Sequence, residues 1–296
     1  KILMKAFAEV KPTVILSVPL ILEKIYKKMI QPQISKKPVS WVLKMPLLDK
    51  VVLNKIRETL MNAFGGEFSQ IIIGGAPLNA EVEAFLRRIK FPVTVGYGMT
   101  ETAPLISFTP WDRFRSQSCG QVLKGFMEAR IANPDADGVG EIQVRGENVM
   151  VGYYKNEQAT KDSFTADGWL RTGDLGVIDE DGYIYIKGRC KTMLLGPSGQ
   201  NIYPEEIEAK INNMPYVLES LVLQKDTRLV ALVCPDFEAV DADKLTQEQL
   251  EVVMEENRKL VNAELAAYEQ INELRIYTHE FEKTPKKSIK RFLYEA

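Results

Sequence analysis

Residues 70–98 have the sequence QIIIGGAPLNAEVEAFLRRIKFPVTVGYG, in which two short apolar runs flank a segment of helical pattern. The runs QIII and PVTV have the length of buried strands, and each is followed by glycine. Residues 80–89 between them are predicted to form a helix. An order of strand, helix and strand favours a layered α/β domain around a buried sheet.

The same alternation extends back toward the start of the chain. TVILSVP at residues 13–19 predicts a strand, and helices are predicted at 20–29 and 46–64. The second helix has Pro46 at its start and Gly65-Gly66 after its end. Helices typically show this arrangement, with proline in the first turn and glycine just past the last. Residues 1–118 are therefore predicted to be part of a large α/β domain. Because a helical pattern begins at once, we interpret the chain as a fragment.

The pattern changes after residue 118. Residues 119–188 contain short alternating runs separated by the turn-prone segments NPDADG, ADG and DEDG, which predicts antiparallel strands in a small barrel-like unit or curled sheet of the same domain. Residues 189–296 contain predicted helices at 204–213 and 247–267, a hairpin between them and a later strand. The prediction is a multidomain α/β and α+β protein with a mobile α+β carboxyl-terminal domain beginning near Arg189.

Composition excludes several classes of function. The formal net charge is only -2. The overall charge therefore does not indicate a protein that binds nucleic acid or membranes over a large surface. One histidine, His279, and three widely separated cysteines leave no cluster for a metal and no redox pair. Since no signal peptide or apolar run of membrane-spanning length is visible, we expect a cytoplasmic protein, with peripheral membrane association left open.

Three glycine-bearing stretches are candidates for ligand contact: GGAPL (74–78), GYGMTE (96–101) and RTGD (171–174). Glycine lets a backbone approach a ligand closely, and ligands of open α/β sheets gather beyond the strand ends. Each stretch alone is equally typical of an ordinary turn. Asp174 could bond a ribose diol or could be a polar turn residue.

GYGMTE is the most specific of the three stretches. An aromatic ring, a hydroxyl and a carboxylate, on Tyr97, Thr100 and Glu101, could contact a base, a phosphate and Mg²⁺ within five residues. The alternative is a strand end capped by Thr100, with Glu101 solvated.

Several motifs in order resemble one family. GGAPL, YGMTE, GEIQVRGENVMVGYY (140–154), DGWLRTGD (167–174), GRCKTMLLGPSGQNIYPEEIE (188–208) and KTPKKSIKR (283–291) are similar to motifs of the adenylate-forming superfamily of acyl-CoA synthetases, luciferases and peptide-synthetase adenylation domains. The form LLGPSGQNIYPEEIE resembles the bacterial long-chain branch. The resemblance implies ATP-dependent activation of a fatty acid through acyl-AMP to acyl-CoA, with ATP, Mg²⁺ and coenzyme A.

The resemblance also implies a role for each matching position. The adenine would be bordered by Gly74, Gly75 and Ala76 and stacked by Tyr97, with Gly98 in the same nucleotide-binding set. Thr100 would contact phosphate and Glu101 would ligate Mg²⁺. Asp174 and Arg189 would hold the ribose, and Lys191 would be the hinge of the small domain.

Two departures from the family pattern matter. The family's upstream phosphate loop, rich in Ser, Thr and Gly, is absent from this sequence, and no G-x-x-x-x-G-K-[ST] motif replaces it. The family's catalytic lysine aligns with Ser288, flanked by Lys286, Lys287 and Lys290. Lys287 is predicted to supply the missing cation.

Alternative interpretations remain open. The basic tail could be a nucleic-acid patch, but interleaved aromatic residues are missing, so a solvated tail or phosphate contact is favoured and no nucleic acid is expected. The enzyme could load an acyl carrier protein instead of coenzyme A. The chain could also be a nucleotide-binding fragment without catalytic activity.

Overall fold

The computed structural model describes residues 2–34, 36, 41, 45, 48–284 and 288–295. The chain divides into two compact units, one of residues 1–172 and 176–186 and one of residues 173–175 and 187–296. The main part of the second unit begins at Lys187, two residues before the predicted boundary at Arg189.

The first unit opens with an alternation of helices and strands. Its elements are α1 (Ile2–Val10), β1 (Val14–Ser17), α2 (Pro19–Ile25), a π-helical turn (Tyr26–Ile30), α3 (Gln31–Ile34), α4 (Leu48–Ala63), β2 (Gln70–Ile73), α5 (Ala80–Arg88) and β3 (Val93–Val95). The strands form a parallel sheet in the order β1-β2-β3, with Ile71 opposite Ile15 and Val93. This α/β layer confirms the prediction from residues 70–98.

Burial of apolar side chains explains why these elements assemble. Ile71 and Ile73 of β2 are 0% exposed, and Phe64, Phe68 and Phe91 pack around them as one aromatic cluster. The predicted start of α4 at residue 46 lies outside the described residues. The predicted helix at 20–29 is realised as α2 followed by the π-helical turn.

The rest of the first unit is rich in β-structure. Its elements are β4 (Ser107–Phe108), β5 (Gln121–Val122), β6 (Met127–Ala132), β7 (Gly140–Gly146), α6 (Glu157–Ser163), most of β8 (Leu170–Ile178) and the first half of β9 (Ile184–Arg189). Residues 173–175 and 187–189 of the last two strands belong to the second unit. One sheet has the order β6-β7-β8-β9, and β4 pairs with β5 and also bridges to Tyr97 through Ser107. Within the described residues the end strands β6 and β9 do not pair, so the sheet is not a closed barrel, although Gln121 of β5 bridges to Tyr183 next to β9.

The second unit has the predicted α+β composition. Its elements are β10 (Leu194–Leu195), β11 (Asn201–Ile202), α7 (Pro204–Ile211), β12 (Val217–Lys225), β13 (Arg228–Pro235), α8 (Phe237–Ala242), α9 (Gln247–Asn262) and β14 (Ile271–Ile276). The sheet order is β12-β13-β14, antiparallel and then parallel. Four 3₁₀ turns are described in the whole chain: Thr100–Thr102, Trp111–Arg113, Ala267–Glu269 and Arg291–Leu293.

Helix α9 ends at Asn262, five residues before the predicted end at residue 267. The Asn262 side chain explains the early stop, because its Oδ1 accepts from Ile271 N at 2.8 Å and its Nδ2 donates to Ile271 O at 2.9 Å. These bonds connect the helix end to the start of β14. None of the described helices is both long enough and apolar enough to cross a membrane.

Candidate functional site

Two glycine loops begin at the same end of the parallel sheet. Gly74 follows β2 and donates its N–H to Ser17 O at 3.1 Å, and Gly96 follows β3 and donates to Ile73 O at 2.9 Å. A Cβ added to Gly74 would lie 3.7 Å from Gly96 O, so the loops are in contact distance. Gly75 has a φ of +86° and, like Ala76, is exposed. GGAPL and GYGMTE therefore present open backbone beyond the strand ends, where ligands of such sheets bind.

Gly98 is required by packing inside its own loop. A Cβ there would lie only 1.8 Å from Pro104 O. Its neighbour Tyr97 is 8% exposed and belongs to a core cluster that includes Ile106 and Met127. The structure thus gives both residues a role in building the loop, while stacking of Tyr97 on adenine stays a prediction.

The acidic end of the GYGMTE loop is a 3₁₀ turn. Thr102, which is fully buried, caps it: its Oγ1 donates to Met99 O at 2.9 Å and accepts from Met99 N at 3.2 Å. The alternative in which Thr100 is the cap is therefore wrong. Thr100 is exposed, so its hydroxyl is accessible to a ligand.

Glu101 is half-buried and is held at two points. Tyr153 donates its hydroxyl to Glu101 Oε1 at 2.7 Å, and Met150 N donates to Glu101 O at 2.8 Å. The hydrogen bond to Glu101, with burial as a smaller contribution, raises the pKa of Tyr153 above its ordinary value. The alternative interpretation, a solvated Glu101, is therefore not what the structure shows. Sequence reasoning missed Tyr153, which lies 52 residues away in the chain.

The donor set suits a magnesium ion that is shared with a substrate. The described residues contain no group of three or more His, Cys, Asp or Glu side chains able to hold a metal by themselves. Mg²⁺ is commonly bound through one or two carboxylates plus substrate phosphates and water. Tyr153 engages Oε1 of Glu101, which leaves Oε2 as the oxygen that would face such an ion.

In the second unit, the structure brings Asp174 and Arg189 together. Arg189 Nε lies 3.0 Å from Asp174 Oδ1, and the Asp174 side chain is 16% exposed against 60% for Arg189. The backbone supports this pairing, since Cys190 N donates to Gly173 O at 2.9 Å and Gly173 has a φ of +70°. Their joint contact with a ribose stays a prediction.

Lys191 is exposed and lies two residues after Arg189, in a tight turn. The turn is closed by Thr192 N and Met193 N, which both donate to Arg189 O at 3.1 Å. The role of Lys191 as a hinge stays a prediction.

The basic tail forms a small hairpin. Thr284 N donates to Ser288 O at 2.8 Å, and Lys290 N donates to Glu282 O at 2.9 Å. Lys286 and Lys287 lie outside the described residues, so the assignment of Lys287 stays a prediction.

Two other tail lysines form ion pairs. Lys283 Nζ lies 2.7 Å from Glu219 Oε2, and Lys290 Nζ lies 3.2 Å from Glu282 Oε2. Their ammonium groups are therefore engaged within the second unit.

A partly buried charge cluster connects the tail to α7, and no local sequence pattern indicates it. Glu208, 9% exposed, accepts from Val222 N at 2.6 Å and from Arg291 Nη2 at 2.5 Å. Glu205 Oε1 lies 3.6 Å from Arg291 Nη2 and accepts from Thr192 Oγ1 at 2.6 Å. Burial raises the pKa of Glu208 to about 7, against the opposing attraction of Arg291.

The fold and the loops define a class of protein before any relative is considered. A parallel α/β sheet with two glycine loops at one end is typical of an enzyme that binds a nucleotide. The family model described as AMP-binding enzyme matches residues 1–154. The chain belongs to the AMP-binding enzyme family.

Relatives and solved structures agree with that membership. The chain is 32% identical over 269 residues to the long-chain-fatty-acid–CoA ligase FadD15 of Mycobacterium bovis, covering 82% of this chain and 43% of the relative. It is 31% identical over 245 residues to the long-chain-fatty-acid–CoA ligase ACSBG2 of Gallus gallus, covering 76% and 32%. The crystal structure of ATP-bound MatB from Rhodopseudomonas palustris matches with a TM-score of 0.69 and 26% identity, over 98% of this chain and 52% of that one. The chain thus spans less than half the length of these curated relatives.

Proposed function

We propose that this chain is part of a ligase that activates a long-chain fatty acid with ATP and transfers it to coenzyme A. The observation that carries the proposal is the GYGMTE loop, which presents the exposed Thr100 and the oriented carboxylate of Glu101 beside a second glycine loop. Membership of the AMP-binding enzyme family supports the nucleotide. The names of the relatives support the acyl substrate and the acceptor.

The reaction has two steps in this proposal. A carboxylate oxygen of the fatty acid attacks the α-phosphorus of ATP, and the bond to the bridging oxygen breaks to release pyrophosphate. The thiol of coenzyme A then attacks the acyl carbonyl and loses its proton, and AMP leaves. Both steps require phosphate charge to be offset and reactants to be aligned. Neither step needs a histidine, and the only histidine, His279, lies in the second unit.

The chain's own residues take the following parts. The backbone of Gly74, Gly75 and Ala76, with the GYGMTE loop, borders the nucleotide base, and the Thr100 hydroxyl donates to phosphate. The carboxylate of Glu101 holds Mg²⁺, which when bound offsets negative charge on the phosphates. Asp174 accepts hydrogen bonds from the ribose hydroxyls while Arg189 fixes its orientation. The phosphate loop that this sequence lacks belongs to a further part of the enzyme.

The proposal is tested on the full-length protein by ATP–pyrophosphate exchange with a panel of acids. Palmitate is expected to support exchange far better than acetate or an amino acid. Preference for acetate or an amino acid would overturn the long-chain assignment. Thioester formation with coenzyme A, compared with a phosphopantetheinyl carrier protein, identifies the acceptor, and we expect coenzyme A.

One observation favours a second candidate, a nucleotide-binding protein without turnover. The family's catalytic lysine position is Ser288, whose described hydrogen bonds run through its backbone to Thr284. Calorimetry of AMP binding, performed beside a thioester assay on the same sample, separates the two candidates. Binding without thioester formation would favour the second.

A further inference from the structure

We propose that Tyr153 is a positioning residue that orients the Glu101 carboxylate for the magnesium ion of the nucleotide. The inference deepens the proposed function and rests on it. Tyr153 is the side chain that donates to Glu101, across a separation of 52 residues.

Four hydrogen bonds connect the segment around Tyr153 to the turn that carries Glu101 and to Leu105 just after it. Asn148 Nδ2 donates to Thr102 O at 2.6 Å and to Leu105 O at 2.9 Å. Met150 N donates to Glu101 O at 2.8 Å, and the Tyr153 hydroxyl completes the set at Oε1. Both the backbone and the side chain of Glu101 are therefore fixed by one segment, residues 148–153.

That segment is in turn supported by helix α6. Thr160 Oγ1 accepts from Tyr153 N at 2.8 Å and donates to Asn156 O at 3.0 Å. A Cβ added to Gly152 would lie 2.8 Å from Thr160 Cγ2, so glycine permits this close approach. Because the Tyr153 backbone is anchored in this way, the Tyr153 hydroxyl has a defined position from which to donate to Glu101.

The consequence for the carboxylate is a fixed orientation. A donor on Oε1 restricts rotation of the Glu101 side chain and holds Oε2 toward a ligand. Hydrogen-bonded partners of metal ligands typically change metal affinity by roughly 10–100-fold when they are removed. Tyr153 occupies that position relative to Glu101, and Tyr154, the next residue, is 88% exposed.

The test measures ATP binding by calorimetry in the full-length protein, with and without Mg²⁺. In Tyr153→Phe, the gain in ATP affinity caused by Mg²⁺ should fall by roughly 10-fold, while affinity for ATP alone should not change. Tyr154→Phe, which loses a hydroxyl one residue along the chain, should match the wild type. The unfolding midpoint of each variant checks that the fold is retained.

A double-mutant cycle shows whether Tyr153 acts through Glu101. In a Glu101→Gln background, Tyr153→Phe should have no further effect on the Mg²⁺-dependent gain. An equal loss in both backgrounds, or a wild-type gain in Tyr153→Phe, would overturn the inference while leaving the proposed function intact. Absence of any Mg²⁺-dependent gain in the wild type would overturn the proposed function and the inference with it.

Discussion

In the proposed function, Glu101 is the residue on which the chemistry of the first unit depends most. Replacing it with glutamine removes a charge but keeps the side-chain length and an oxygen that can accept from Tyr153. We expect Glu101→Gln in the full-length protein to lower acyl-AMP formation by roughly 100-fold, the usual effect of losing one strong electrostatic contact. The measurement is the rate of acyl-AMP formation at several Mg²⁺ concentrations.

The exposed carboxylate of Glu147 provides the control. Glu147→Gln makes the same chemical change outside the GYGMTE loop and should leave the rate unchanged. A wild-type rate and Mg²⁺ dependence in Glu101→Gln would show that Glu101 does not hold the metal.

Glu208 gives the second unit a dependence of stability on pH. Burial raises its pKa from 4.5 to about 7 in the folded protein. The folded state therefore binds the proton more tightly than the unfolded state, so this stability is complete below about pH 4.5 and is lost as pH rises through 7. We expect the free energy of unfolding of the second unit, measured in urea, to decrease on the order of 3 kcal/mol across that range because of this group.

Glutamine at this position mimics the protonated carboxyl group and cannot titrate. The free energy of unfolding of Glu208→Gln should therefore depend less on pH than that of the wild type. The difference between these two free energies should change across the same pH range. Glu256→Gln, on the exposed face of α9, is the control and should follow the wild type. If the free energies of unfolding of wild type and Glu208→Gln differ by a constant amount from acid to neutral pH, the raised pKa of Glu208 is contradicted.

Elements with strong local signals were predictable from the sequence. Helix α5 was predicted at residues 80–89 and is observed at Ala80–Arg88, because Asn79 caps its start and apolar side chains at helical spacing are buried. The three parallel strands were equally clear, since buried strands are nearly continuous apolar runs. The glycine loops followed from these strands.

Contacts between residues far apart in sequence were not predictable. The hydroxyl of Tyr153 and the carboxylate of Glu101 are 52 residues apart, and Arg291 and Glu208 are 83 apart. Periodicity and turn chemistry describe only neighbouring residues, so neither pair leaves a local signal. The early end of α9 has the same origin, because the Asn262 side chain bonds to Ile271.

Ion pairs in the tail hairpin reduce the number of lysines that could replace the family's catalytic cation. Lys283 and Lys290 are paired with Glu219 and Glu282, so Lys283→Ala and Lys290→Ala should form acyl-AMP at rates close to the wild type. Lys287→Ala should lower that rate by roughly 100-fold if its ammonium group contacts phosphate. Each variant is measured for acyl-AMP formation separately from thioester formation.

Normal acyl-AMP formation by all the lysine variants, Lys286→Ala included, would mean that Ser288 marks a real loss of the family's cation. Ser288→Lys then serves as the complementary variant. An increase in acyl-AMP formation in Ser288→Lys alone would show that the family position itself is still the productive one.

At the scale of the whole molecule, the two units meet in sequence near Lys191. Proline at this position removes none of the described hydrogen bonds of the turn, which Thr192 and Met193 donate, but it restricts a backbone dihedral that a hinge must change. We expect Lys191→Pro to slow thioester formation at least 10-fold while acyl-AMP forms normally, as rotation between half-reactions requires.

Lys191→Ala is the matched control, since it removes the side chain and leaves the backbone free. It should retain both half-reactions if the backbone provides the hinge. Equal loss of both half-reactions in Lys191→Pro would indicate damage to the structure instead of a blocked motion.

Transfer of an isotope label from the fatty acid to AMP shows whether the full-length protein forms an acyl adenylate. Palmitate labelled with oxygen-18 in its carboxylate is incubated with ATP, Mg²⁺, coenzyme A and the full-length protein, and the products are analysed by mass spectrometry. If the carboxylate attacks the α-phosphorus, one labelled oxygen must remain on the phosphate of AMP after the thiol displaces it. We predict oxygen-18 in AMP and none in pyrophosphate. Unlabelled AMP, label in inorganic phosphate with formation of ADP, or no turnover of palmitate would contradict the account.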